Sequence, residues 1–170
     1  MSEMSSKKSV LIMMGSKSDF DFLKPAVDVL RELEIPFEIR VASAHRTPAK
    51  VAGLVEAAGK NNTGVIIAVA GAAAHLAGVI AGHTLLPVLG VPVAVTPLGG
   101  MDALLSMVQM PKGVPVGVMS LGGAVNAVLF AARILSVSDK NLHVRLKEWS
   151  DKMRDKVEEG DRQVQELLGE

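Results

Sequence analysis

Ser43-Ala44-His45-Arg46 puts a hydroxyl, an imidazole and a guanidinium within four residues, where an apolar run stops. The guanidinium fork suits a phosphate or a carboxylate. An imidazole titrates near neutrality, so it can give and take a proton at physiological pH. Together the two groups could hold an anion and move a proton beside it. The plainer reading is a solvated loop whose Ser or Thr caps the next helix, because Thr47-Pro48 reads as a helix entry. The motif alone does not choose between them.

Two further stretches carry chemistry-bearing groups. Gly15-Ser16-Lys17-Ser18-Asp19 follows an apolar run and opens a helical pattern. The hydroxyls of Ser16 and Ser18, with free N–H groups at a helix start, could cradle a phosphate. Asp19 could cap that helix or accept bonds from ribose hydroxyls. The stretch is neither G-x-G-x-x-G nor a Walker loop, so it does not argue for NAD or ATP. Ala70-Gly71-Ala72-Ala73-Ala74-His75-Leu76 is made of small residues, which would let a planar ligand or a carboxylate approach the backbone closely. Tight helix–sheet packing explains the same residues without a ligand. His75 and His83 lie eight apart in an apolar helical pattern and read as structural histidines; His143 reads as a surface residue. No set of His, Asp or Glu has convincing metal-ligand spacing. Ser106 to Pro111, with Gln109 between two Met, is uninformative alone.

These motifs need elements to position them. Ser9–Met14 is a continuous apolar run of strand length, followed by helical spacing over 19–34 (Leu23, Ala26, Val27, Leu30, Leu33). A second strand is expected at Pro36–Val41, then a helix over Pro48–Lys60. Strand Gly64–Ala70 and helix Ala72–Thr84 follow, then a strand within Pro87–Val95 and helix Met101–Met110. Strand Val114–Met119 and helix Ala124–Ser136 complete the core, at about 9–136. Strands alternating with helices imply right-handed crossovers and a parallel sheet. Five strands suggest the order 2-1-3-4-5, an α/β flavodoxin-like fold. Ligands then sit outside the strand C-termini, where the order reverses, and the three polar or glycine-bearing turns should meet there. Leu142, Leu146, Trp149, Met153 and Val157 give a long amphipathic helix at about 139–168, with Gly160 as a point of interruption. It could pack on its own domain or on a neighbouring subunit, and its length beyond a finished sheet favours the neighbour.

Composition narrows the function classes. The 170 residues suit one domain, 1–170. There is no cysteine, which excludes disulfides and thiolate metal sites. Lys+Arg and Asp+Glu both number 18, so nothing points to nucleic acid. Four Phe, one Trp and no Tyr leave little for base stacking or for flanking a flavin. Residues 1–8 lack the apolar core of a signal peptide, and no uninterrupted apolar run reaches the ~18 residues of a membrane span. A soluble cytoplasmic protein, with no membrane partner, is expected.

With these residues in order, the chain resembles the 5-(carboxyamino)imidazole ribonucleotide mutases, the family of the catalytic subunit of phosphoribosylaminoimidazole carboxylase. The resemblance rests on G-S-K-S-D, S-A-H-R-T-P, A-G-A-A-A-H-L-A-G, P-V-L-G-V-P-V, L-L-S-M-V-Q-M-P-K-G-V-P-V and N-A-V-L-F-A-A-R-I-L, spanning about Val10 to Leu135. It implies a three-layer flavodoxin-like domain in a homo-octamer. It implies transfer of a carboxylate from the exocyclic nitrogen of a ribonucleotide to a carbon of its imidazole ring, without metal, ATP or organic cofactor. A functional link to the synthetase that makes the substrate follows. By the same resemblance Ser16 and Asp19 contact phosphate and ribose, Ser43 and Arg46 the phosphate, and His45 is the general acid/base. The Gly71–Leu76 loop, with Ala74, His75 and Leu76, cradles the migrating carboxylate.

Two departures stand out. Ala77 occupies a position that is usually proline in the family. Ser120–Asn126 is shorter than the glycine/alanine loop of many bacterial members, which helps cover the site. A branch that uses carbon dioxide and the non-carboxylated ribonucleotide typically has Lys after S-A-H and lacks A-A-H-L. Arg46 and Ala73–Leu76 favour the mutase branch here. The rivals are that carboxylase branch and a non-enzymatic flavodoxin-like module that binds a phosphate ligand or a flavin.

Overall fold

A computed structural model of the protein describes residues 7–169. The start of the segment read for a leader, residues 1–6, lies outside them. Five strands, β1 (Ser9–Met14), β2 (Phe37–Val41), β3 (Thr63–Gly71), β4 (Val88–Val93) and β5 (Gly117–Val118), form one sheet in the order β2-β1-β3-β4-β5. Every pairing is parallel. The connections are the helices α1 (Phe20–Glu32), α2 (Pro48–Lys60), α3 (Leu76–Ala81), α4 (Met101–Val108) and α5 (Ala124–Ser136). The chain closes with α6 (Lys140–Leu168).

The unbroken apolar runs have a direct explanation. A strand's side chains alternate between faces, so a strand covered on both faces must be apolar throughout. Val10, Ile12 and Met14 of β1, with Val65, Ile67 and Val69 of β3, pack with α1, α5 and Leu142 of α6. Leu11, Met13, Ile66 and Ala68 point the other way, onto α2, α3 and α4. These two cores make the α/β/α three-layer architecture expected from the sequence. Each fully buried Leu or Ile contributes about 1.5–3 kcal/mol relative to exposure.

The edges behave differently. In β2 only Phe37 and Ile39 turn inward, while Glu38 and Arg40 form an exposed ion pair at 2.5 Å. Charges on an edge strand discourage pairing with another chain. The opposite edge, β5, has two residues where Val114–Met119 was expected. Pro115 cannot donate to a ladder. The chain still follows the sheet through Met119 N–H, which donates to Gly90 O at 2.8 Å.

Two helices differ from the periodicity. The pattern over Ala72–Thr84 yields only Leu76–Ala81, because Ala72 takes a left-handed φ of 52° and the chain turns there. At the other end His83 folds back, its Nδ1 lying 2.8 Å from Val79 O. Conversely, α6 runs without interruption through Gly160. A mid-helix glycine costs about 1 kcal/mol relative to alanine, too little to break so long a helix. Asp139 caps its start, accepting from Leu142 N–H at 2.9 Å.

The first half of α6 packs on its own domain. Leu142, Leu146 and Trp149 join the core with α1 and α5, Arg145 Nε donates to Leu33 O at 2.8 Å, and Lys152 pairs with Glu32 at 2.8 Å. Farther along, Val157, Val164, Leu167 and Leu168 are exposed. The two readings of this helix therefore apply to different halves: the start belongs to this domain, and only the distal turns are left for another surface. No helix among the described residues is long and apolar enough to cross a membrane.

Candidate active site

The C-terminal ends of β1, β2 and β3 converge at the switch point, and β4 closes one side. The three expected turns surround one cleft of about 300 Å³. Ser16, Ser18, Asp19, Ser43, His45, Arg46, Gly71, His75 and Leu76 all line it. Ala74 does not: it is fully buried in the core beneath α2 and α3. The tight turn after Ala72 sends successive residues to opposite sides, so Ala73 faces the cleft and Ala74 faces inward.

In the first turn a capping box closes on itself. Ser16 Oγ accepts from Ser18 N–H at 3.3 Å, and Asp19 Oδ2 accepts from Ser16 N–H at 3.0 Å. The Ser18 hydroxyl donates to Ser16 Oγ at 2.9 Å. This places two hydroxyls side by side at the mouth of a short 3₁₀ turn, Lys17–Asp19, that leads into α1. Asp19 is nearly inaccessible to water, and burial pushes its carboxyl above the ordinary aspartate value. The Ser16 N–H, the Ser18 hydroxyl and the charge of Arg46 pull the other way without overcoming it.

A raised folded-state value has a definite sign. The folded protein binds this proton more tightly than the unfolded chain, so ionised Asp19 costs stability at neutral pH. That cost disappears as pH falls through the raised value and below the ordinary aspartate value of about 3.9. Asp19→Asn keeps an acceptor for Ser16 N–H and removes the titration. Its urea midpoint relative to the unsubstituted protein is expected to be higher at pH 7 than at about pH 3.5. A difference independent of pH would contradict this assignment.

The second turn is organised by its own side chains. Thr47 Oγ1 accepts from Ser43 N–H at 2.9 Å, and Ser43 Oγ accepts from Arg46 N–H at 3.2 Å. These bonds fix the backbone and leave the working groups outward. The Arg46 guanidinium makes no hydrogen bond or ion pair among the described residues. Its charge reaches Asp19 at longer range. A guanidinium held in a cleft without a carboxylate partner suits an anion that arrives with a ligand.

The third turn carries strain. A left-handed alanine costs roughly 1–2 kcal/mol, and Ala74 N–H and His75 N–H make tight bonds to Ala72 O and Ala73 O, each 2.9 Å. The result brings His75 Nδ1 to 2.9 Å from His45 Nε2, with the rings edge to face. Helical spacing put His75 in an apolar helix, and the resemblance alone put it among the site residues. Its contact with His45, thirty residues away, left no local signal.

Gly71 ends β3 where there is no room for a side chain. A Cβ there would collide with Val95 and lie 3.0 Å from the Val93 carbonyl oxygen. Val95 itself lines the cleft, a position the motifs missed although it follows a strand C-terminus. Gly71→Ala is expected to lose about 1–3 kcal/mol of stability by overpacking and to displace Val95. Thermal unfolding and ligand titration would register both, and an unchanged melting temperature would contradict the crowding.

Neither departure from the resemblance enters the cleft. Ala77 is buried in the first turn of α3, where proline is also tolerated. Ser120–Gly123 forms a tight turn in which Gly122 N–H donates to Pro92 O at 2.9 Å.

Comparison with known proteins decides the family. A family model described as AIR carboxylase matches residues 9–156. The chain belongs to the AIR carboxylase family. The matched span includes every residue lining the cleft and ends inside α6. Among named relatives, the N5-carboxyaminoimidazole ribonucleotide mutase of Escherichia coli strain K12 is 49% identical over 159 residues, covering 92% of this chain and 94% of that one. The mutase of Mycobacterium leprae is 47% identical over 166 residues, covering 98% and 97%. In three dimensions the AIR carboxylase fold seen here superimposes on Treponema denticola PurE with a TM-score of 0.85, at 27% identity over 92% of this chain and 98% of that one.

Proposed function

We propose that the protein is an N5-carboxyaminoimidazole ribonucleotide mutase of purine biosynthesis, an isomerase-type enzyme. The observation that carries this reading is the cleft. A histidine, an arginine with no hydrogen-bond or ion-pair partner among the described residues, and paired serines meet in a chain 49% identical, almost end to end, to a protein of that name. A module that only bound a phosphate ligand would have no use for the histidine.

The residues divide the work as follows. Arg46, with the hydroxyls of Ser16, Ser18 and Ser43, holds the substrate phosphate, and Asp19 accepts from the ribose hydroxyls. His45 delivers a proton to the exocyclic nitrogen as the carbon–nitrogen bond breaks and carbon dioxide separates. The ring carbon attacks that carbon dioxide, and the proton it sheds returns to His45. The proton inventory closes without a second base or a cofactor. Gly71, Ala72, Ala73 and Leu76 supply the small apolar wall that keeps carbon dioxide beside the ring.

The reading extends to assembly. Exposed Leu98, Met101, Leu105 and Val108 on and before α4, with the distal half of α6, support a homo-octamer. We also assign the enzyme to the cytoplasm, alongside the synthetase that makes its carbamate. The deciding experiment supplies the protein separately with the carbamate and with the non-carboxylated ribonucleotide plus bicarbonate. Faster product from the carbamate is expected, and faster product from bicarbonate would place the enzyme in the carboxylase branch instead.

A further inference from the structure

Carbon dioxide is the species in the proposed reaction that the anion-binding groups cannot hold. It is uncharged, and it exists between cleavage of the carbon–nitrogen bond and attack by the ring carbon. Whether it is recaptured or escapes depends on the apolar walls around it. The third turn supplies one such wall, but Gly71, Ala72 and Ala73 have little or no side chain, and Leu76 is buried.

Val95 stands apart from that set. It is the lining residue that follows β4, whereas the others come from the ends of β1, β2 and β3. It is 51% exposed, against 2% for Leu76, so it offers the cleft a branched apolar side chain with free surface. A single exposed valine means little by itself. This one stands against Gly71, where its Cγ2 occupies the space that a Cβ on Gly71 would need.

The loop that carries Val95 is tied down. Thr96 Oγ1 donates to Asp102 Oδ2 at 2.8 Å and accepts from Leu98 N–H at 3.2 Å. Thr96 O accepts from Gly99 N–H at 3.2 Å. These bonds fasten the neighbouring residue to the first turn of α4, and a valine is stiff at χ1. Val95 is therefore a fixed post on the β4 side of the cleft.

We propose that Val95 retains carbon dioxide beside the substrate ring and so sets the fraction of turnovers that end in carboxylation. The inference rests on the mutase reading and deepens it. In a turnover that leaks, the carbon–nitrogen bond breaks, the nitrogen takes the proton of His45, and carbon dioxide leaves for solvent. His45 then takes a replacement proton from solvent. The products are the non-carboxylated ribonucleotide and carbon dioxide, and no carbon–carbon bond forms.

The test supplies the carbamate to the unsubstituted enzyme, Val95→Ala and Val95→Ile. Chromatography separates the non-carboxylated from the carboxylated product, after subtraction of carbamate breakdown without enzyme. Their ratio does not depend on how much enzyme is active, so a loss of folded protein does not imitate leakage. Val95→Ala removes both Cγ atoms and is expected to raise the ratio by about tenfold, the lower end for a methylene-sized change in an apolar pocket. Val95→Ile keeps both branches and is expected to leave the ratio at or below that of the unsubstituted enzyme. Because Val95 is half exposed, neither change should prevent folding. An unchanged ratio in Val95→Ala would overturn the proposal, as would a Val95→Ile variant that leaks as much as the alanine one. If the unsubstituted enzyme makes no carboxylated product from the carbamate, the mutase reading falls and this inference with it. If it does and only the variants fail to differ, the mutase reading stands.

Discussion

His45→Asn is expected to lower kcat by about 10²–10⁴-fold, the usual worth of a positioned general acid–base group. Stability and substrate binding should change little. His45 is exposed on a turn whose shape is set by Ser43 and Thr47, so its ring adds nothing to either core. The proposed phosphate anchors, Arg46 and the serines, are also left unaltered by the substitution. Steady-state kinetics, product binding by calorimetry and urea unfolding separate these effects. Near-normal turnover would remove His45 from the mechanism, and weakened binding with unchanged kcat would make it a ligand contact instead.

Arg46→Ala should fail in a different way. Hydrogen bonds to a charged group contribute about 1.5–3 kcal/mol each, so losing the fork is expected to raise KM by roughly 10–100-fold, at about 1.4 kcal/mol per factor of ten. In the proposed mechanism the phosphate takes no part in the bond changes, so kcat should change much less. Arg46→Lys keeps the charge but loses the planar fork, and an intermediate KM is expected. An unaltered KM in the alanine variant would show that the phosphate sits elsewhere. Folding should tolerate both changes, because the guanidinium has no hydrogen bond or ion pair among the described residues to lose.

Much of this molecule is written in local patterns. Strand runs such as Ser9–Met14 and the helical spacings of Pro48–Lys60 and Ala124–Ser136 reappear at the same residues in the structure. Burial on both faces forces continuous apolar character, and one-sided burial forces the 3.6-residue period. The sheet order followed from counting strands and crossovers, and the order located the switch point. Three turns distant in sequence could therefore be assigned to one place. Less legible were the places where backbone conformation competes with periodicity. Ala72 looks like a helix residue by type but takes a left-handed φ, which shortens α3 and re-aims the chain. Pro115 and its neighbours look like a strand but add only two paired residues.

The sequence by itself determined the three-layer fold, the location of the cleft, and the residue types in it that can bind an anion and move a proton. Those depend on periodicity and on residue chemistry, which are local. Only the tertiary structure decided that Ala74 faces the core, that Val95 closes the cleft, and that His75 meets His45. Each depends on a few ångströms of separation between turns brought together by the sheet, and no local pattern of residues encodes such a distance.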